Sequence, residues 1–108
     1  MSYDVSLLSQ AHLCVEVDAH REGGIVCVGG SNYAEMNVTY NYGEFFDFRQ
    51  LDKLTGEDSL PILSEAVERL GTERDPDYWA KTPGNAGHAC RVLLKWAMEH
   101  ESAVWEVC

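Results

Sequence analysis

Basic residues are scarce: eight lysines and arginines stand against eighteen aspartates and glutamates in 108 residues, a formal net charge of −10. That balance argues against direct nucleic-acid binding, because holding a phosphate backbone draws on Lys and Arg to release counterions. Long apolar runs are missing as well. None exceeds five residues, so no stretch can cross a membrane as a helix. The opening Met1-Ser2-Tyr3-Asp4 lacks the basic start of a signal peptide, and the chain is expected to be soluble and intracellular. No Cys-x-x-Cys pair occurs: Cys14, Cys27, Cys90 and Cys108 stand 13, 63 and 18 residues apart, which is no zinc framework. They read as reduced thiols acting as small hydrophobes, with Cys108 open to oxidation. Catalytic signatures are equally absent. There is no Gly-x-Ser-x-Gly elbow, His-Glu-x-x-His pair, P-loop or G-x-G-x-x-G turn, and His20, His88 and His100 have no recognisable partner. The sequence therefore predicts a non-enzymatic protein without metal or cofactor. His12-x-Cys14 followed by His20 and Cys27 is the one arrangement with a metal flavour, and Cys14 to Val17 reads as well as plain strand.

What is present is a globular composition. Hydrophobic residues make up 45% of the chain, too many for disorder despite the charge, and the length suits a single domain over 1–108. Each half carries a net −5, so the acidity belongs to the whole surface and not to a tail. It serves either as a solubilising shell or as an acidic face that meets a basic partner.

Ala34 to Tyr42 alternates apolar and polar residues strictly, the period-two signature of a strand with one buried face. Tyr3 to Leu8 and Leu13 to Val17 alternate more briefly. Ile25-Val26-Cys27-Val28, bracketed by glycine pairs, predicts a short central strand. A first helix is expected after Ser59 as N-cap, with Pro61 in its first turn, Leu63, Ala66, Val67 and Leu70 as its apolar stripe and Gly71 as its stop. A second is expected from Thr82 as N-cap and Pro83 at the first helical position to about His100, followed by an extended piece at 103–107. Strands followed by helices predict an α+β fold, an antiparallel sheet of about four or five strands with two helices packed on one face.

Gly23-Gly24, Gly29-Gly30-Ser31, the block Met36 to Tyr42 with Phe45-Phe46 after it, Ser59-Leu60-Pro61, Asp77-Tyr78-Trp79, Thr82-Pro83-Gly84-Asn85-Ala86 and Trp105 carry a resemblance. Over most of its length the chain resembles a family of small proteins, of no assigned activity, encoded by phages and prophages of Gram-positive bacteria. It departs from that pattern in a shorter connection before the Asn-Tyr block and in ending on Val107-Cys108. The resemblance implies a phage setting and a place in the host cytoplasm.

Asn37, Thr39 and Asn41 are expected on one strand face, where Asn amides offer both donors and acceptors. Tyr78 and Trp79 lead to a helix start at Thr82 and Asn85 whose free N–H groups can anchor an acceptor. These seven residues form the candidate ligand- or partner-binding site, set against the plainer reading of a wet strand face and an ordinary helix cap. Phe45, Phe46 and Phe48 are expected to leave part of their surface exposed, which would favour a homo-oligomer. The function expected is binding of a bacterial host protein, such as a defence or nucleic-acid-handling factor, through the acidic surface. Sequestration of a nucleotide-like small molecule and a minor virion role are the alternatives.

Overall fold

The computed structural model describes residues 2–17, 33–108 and, for the backbone, 26–27. The chain is an α+β protein. Strands β1 (Ser2–Leu8), β3 (Glu35–Thr39) and β4 (Val104–Val107) form the body of an antiparallel sheet, and the two-residue β2 (Val26–Cys27) pairs with β3, giving the order β2-β3-β1-β4. The described residues thus hold three full strands and one two-residue rung, and the expected sheet of about four or five strands is not confirmed. Of the glycine-bracketed strand, Ile25 and Val28 lie outside the described residues. Leu13 to Val17 does not form the expected strand. Ser9 N–H donates to the Leu13 carbonyl and His12 sits at φ 60°, so the chain doubles back and meets the sheet only through isolated bridges, Leu8 to Cys14 and Glu16 to Tyr33.

Alternation along β1 buries Val5 and Leu7 and leaves Asp4 and Ser6 outward. On β3, Met36 and Val38 join the buried row. Trp105 on β4 lies opposite Leu7 and completes it. Against this row stand α1 (Gly56–Leu70) and α2 (Pro83–Glu99), through Leu63 and Ala66 from one and Ala89, Cys90, Leu93, Trp96 and Ala97 from the other. The outer edge of β4 is occupied by the segment before α1. Lys53 N–H donates to the Trp105 carbonyl, Trp105 N–H to the Leu54 carbonyl, and Val107 N–H to the Asp52 carboxylate.

Helix α1 begins four residues earlier than expected. Thr55, not Ser59, is the N-cap, its hydroxyl accepting from Asp58 N–H at 3.0 Å, so Pro61 falls inside the helix and not in its first turn. The turn after α2 decides this start: its carbonyls at Ala103 and Glu101 accept the N–H groups of Gly56 and Glu57, two of the donors that a helix start leaves open. Ser59 is instead fully buried, donating to the Gly56 carbonyl and accepting from the Trp105 indole. The helix ends at Gly71, with φ 73°, and Glu65 pairs with Arg69 at 3.2 Å on its exposed face. Helix α2 has the expected cap, Thr82, and the expected Pro83 start. Its Gly84 and Gly87 let the Gly71–Glu73 backbone lie directly on the helix; a Cβ at either position would overlap a carbonyl oxygen, of Glu73 or of Gly71.

The phenylalanine tract is covered. Phe46 and Phe48 are in the core, edge to face with centroids 4.9 Å apart, and Phe45 is half-buried. Of the tract only Phe45 keeps part of its surface exposed, because the chain folds back through two 3₁₀ turns, Tyr40–Glu44 and Phe48–Leu51, that press the other two rings inward.

Candidate functional site

Strand β3 stops three residues short of the expected Tyr42. Thr39 is the reason: its hydroxyl accepts from Asn41 N–H at 3.2 Å and caps the 3₁₀ turn that follows. The turn rotates Tyr42 into the interior, where its hydroxyl donates to the Tyr78 carbonyl, and carries Asn41 out to the loop before α2, where its amide donates to the Trp79 carbonyl at 2.8 Å. Asn37, Thr39 and Asn41 therefore do not share one strand face.

From the other side, Thr82 caps α2 by accepting from Asn85 N–H at 3.1 Å. The Asn85 side chain, only 3% exposed, turns back on the loop. Its Oδ1 accepts from Asp75 N–H at 2.9 Å and its Nδ2 donates to the carbonyls of Asp77 and Ala80. Two successive Asx turns brace the same loop, Asp75 accepting from Asp77 N–H and Asp77 from Trp79 N–H.

Asn41, Tyr78, Trp79, Thr82 and Asn85 thus come together at the start of α2. Thr39 stands behind them, 7% exposed, as the cap that aims Asn41. Asn37 is elsewhere, on the open face of the sheet, its amide donating to the Ser2 hydroxyl and the Asp4 carboxylate. The sequence reading missed Tyr42, Asp75 and Asp77. The signals were there: a phenol placed on a buried face needs a partner for its hydroxyl, and Asp-x-Asp before an aromatic pair is turn chemistry. Burial, reinforced by Tyr78 and Asp77 nearby, pushes the Tyr42 phenol up to about 12.

The face of the sheet that no described element covers is the second candidate. Register places Glu35, Ser6 and Glu106 in one row across β3, β1 and β4, so the two glutamates flank Ser6 about 10 Å apart by strand spacing. Asp4 lies in the next row beside Asn37. A depression of about 220 Å³ lined by Asp4, Ser6, Glu35, Met36, Glu106 and Cys108 opens here, with no basic side chain in its lining among the described residues. Burial and then the Glu35 carboxylate raise the Cys14 thiol above its ordinary range, which keeps it protonated.

Among the described residues no three His, Cys, Asp or Glu side chains group closely enough to hold an ion. His20 lies outside the described residues, as does the Cys27 side chain. His100 meets the Glu16 carbonyl at 2.7 Å, and His88 is buried with Nδ1 3.1 Å from Arg91. Neither histidine belongs to either candidate site. No helix among the described residues is long and apolar enough to cross a membrane.

Fold and geometry together define an α+β protein with an acidic open sheet face and a braced aromatic loop. No protein family, curated protein or solved structure matches the chain.

Proposed function

We propose that the chain is a non-enzymatic phage accessory protein that works in the host cytoplasm by binding a basic bacterial host protein, a defence or nucleic-acid-handling factor, through its acidic surface. The phage setting rests on the sequence resemblance. The binding mode rests on one observation: the face of the sheet that no described element covers presents Asp4, Glu35 and Glu106 around a depression whose lining, among the described residues, includes no Lys or Arg. Such a field raises the association rate with a basic partner and discriminates against acidic ones. Direct contact with nucleic acid is disfavoured by the same charge.

The reading in which Asn37, Asn41 and nearby aromatics enclose a nucleotide-like molecule has less support, because the two amides are committed to different regions, one to Ser2 and Asp4 and the other to Trp79. Affinity purification from infected cells tests the proposal. A stoichiometric host protein, held by the wild type and lost from an Asp4→Asn, Glu35→Gln, Glu106→Gln variant, is the expected result. A co-purifying small molecule, or recovery only with assembled particles, overturns it.

A further inference from the structure

Four consecutive carbonyls, from Asp77 to Ala80, are each held by a side chain from another element. Asn85 takes the first and the last, Tyr42 that of Tyr78, and Asn41 that of Trp79. A segment fixed at so many points would be expected to bury what it carries. Here the opposite holds: the Trp79 ring is 49% exposed, whereas Trp96 and Trp105 are each 1% exposed. Tyr78 backs the exposed indole, ring centroids 4.6 Å apart, and the exposed Asp75 and Asp77 precede it in the same loop.

We infer that Trp79, backed by Tyr78 and flanked by Asp75 and Asp77, is the anchor that takes an arginine side chain of a basic partner protein. The inference rests on the reading above that the partner is basic. An indole face attracts a cation, and the planar guanidinium stacks on it better than an ammonium does. The carboxylates supply counter-charge, and with the exposed Arg74 and Lys81 counted the stretch 73–81 still keeps a net −1, which favours a cation. Because the loop is braced before any partner arrives, binding does not pay to order it. Rigid aromatic anchors of this kind carry a large share of interface energy. Asn41, Tyr42, Thr82 and Asn85 are positioning residues: they set where the indole stands without touching the partner.

The probe is a blocked glycine-arginine repeat peptide at low salt, with its citrulline counterpart as the uncharged isostere. Trp79 is the only one of the three tryptophans with substantial exposure, so a change in emission reports on it. The arginine peptide is expected to perturb the emission and the citrulline peptide not to. In calorimetry Trp79→Leu is expected to weaken arginine-peptide binding about tenfold, the scale of a desolvated cation–π contact, while melting as the wild type does. Asp75→Asn with Asp77→Asn keeps the oxygens that close the Asx turns and is expected to weaken binding as well. Equal affinity for the two peptides, or undiminished binding by Trp79→Leu, overturns the anchor. If Asp4→Asn, Glu35→Gln, Glu106→Gln then abolishes the binding, the basic-partner reading stands without it. A wild type that binds no arginine peptide sinks both.

Discussion

The indole N–H of Trp105 donates to the hydroxyl of Ser59 at 2.8 Å, and both residues are buried. The bond joins β4 to α1 across 46 residues of sequence, and it also explains why a serine sits inside a helix on its core side. Ser59→Ala removes the acceptor and leaves the indole N–H buried with nothing in the Ser59 position to accept from it. A loss of about 1–3 kcal/mol is expected in urea unfolding, with an unchanged far-UV spectrum.

The approach of the Gly71–Glu73 backbone to α2 sets opposing effects against each other at Gly84 and Gly87. Alanine at a helix position is intrinsically better than glycine by about 1 kcal/mol. A Cβ at either glycine, however, would overlap a backbone carbonyl, which cannot swing aside as a flexible side chain does. Overpacking of that kind costs about 1–3 kcal/mol or more, so each Gly→Ala variant is expected to be destabilised in thermal unfolding despite the better helix former.

Asn85 separates a hydrogen-bonding role from a simple cap. Asn85→Asp keeps an oxygen for Asp75 N–H but loses the donor to the Asp77 and Ala80 carbonyls; Asn85→Ala loses all three bonds. Hydrogen exchange across residues 75–80 is expected to quicken in both variants, more in the alanine one. Thr82→Ala, which removes only the cap, should cost about 1 kcal/mol and leave that loop protected.

Alkaline pH carries its own signature. Burial raises Cys90 from 9.0 to about 12 and Tyr42 from 10.0 to about 12, so both favour their neutral forms in the folded state. Above the unfolded values the unfolded chain releases these protons first, and stability falls as pH rises from about 9 to about 12, with the Tyr42 share lost above about 10. Tyr42→Phe is expected to be less stable than wild type at neutral pH, since the Tyr78 carbonyl loses its donor, and to flatten the decline above pH 10.

Thiol accessibility follows from the same burial. Peptide mapping after brief alkylation at pH 8 is expected to find Cys108 modified and Cys90 protected until denaturant is added, because Cys108 is exposed and Cys90 lies in the core with its thiol held protonated.

Local chemistry was readable where it was self-contained. Thr82-Pro83 and Gly71 mark helix ends through caps and backbone preferences that act within a few residues, and β1 is legible because Val5 and Leu7 alternate with Asp4 and Ser6. Thr55 was not readable as the start of α1, since what recruits it is a pair of carbonyls at 101 and 103, far along the chain. The same holds for the end of β3: alternation runs on to Tyr42, but the Thr39 hydroxyl and the distant Tyr78 carbonyl turn the backbone first. Of the candidate site, Thr82 and Asn85 were legible as helix-start chemistry with Tyr78 and Trp79 leading to it, whereas Asn41 was placed on a strand face and reaches that helix start only through the 3₁₀ turn after Thr39. A continuous strand to Tyr42 was what joined Asn37 to Asn41, and with β3 ending at Thr39 the two part.

The segment from Asp52 to Thr55 has a consequence for how the molecule meets others. By taking both outward-facing groups of Trp105 and the N–H of Val107 on β4, it occupies the ladder an incoming strand would extend. Donation of a peptide strand at that border, the route by which many sheet proteins capture ligands or polymerise, is closed. Recognition on this flank has to proceed through side chains.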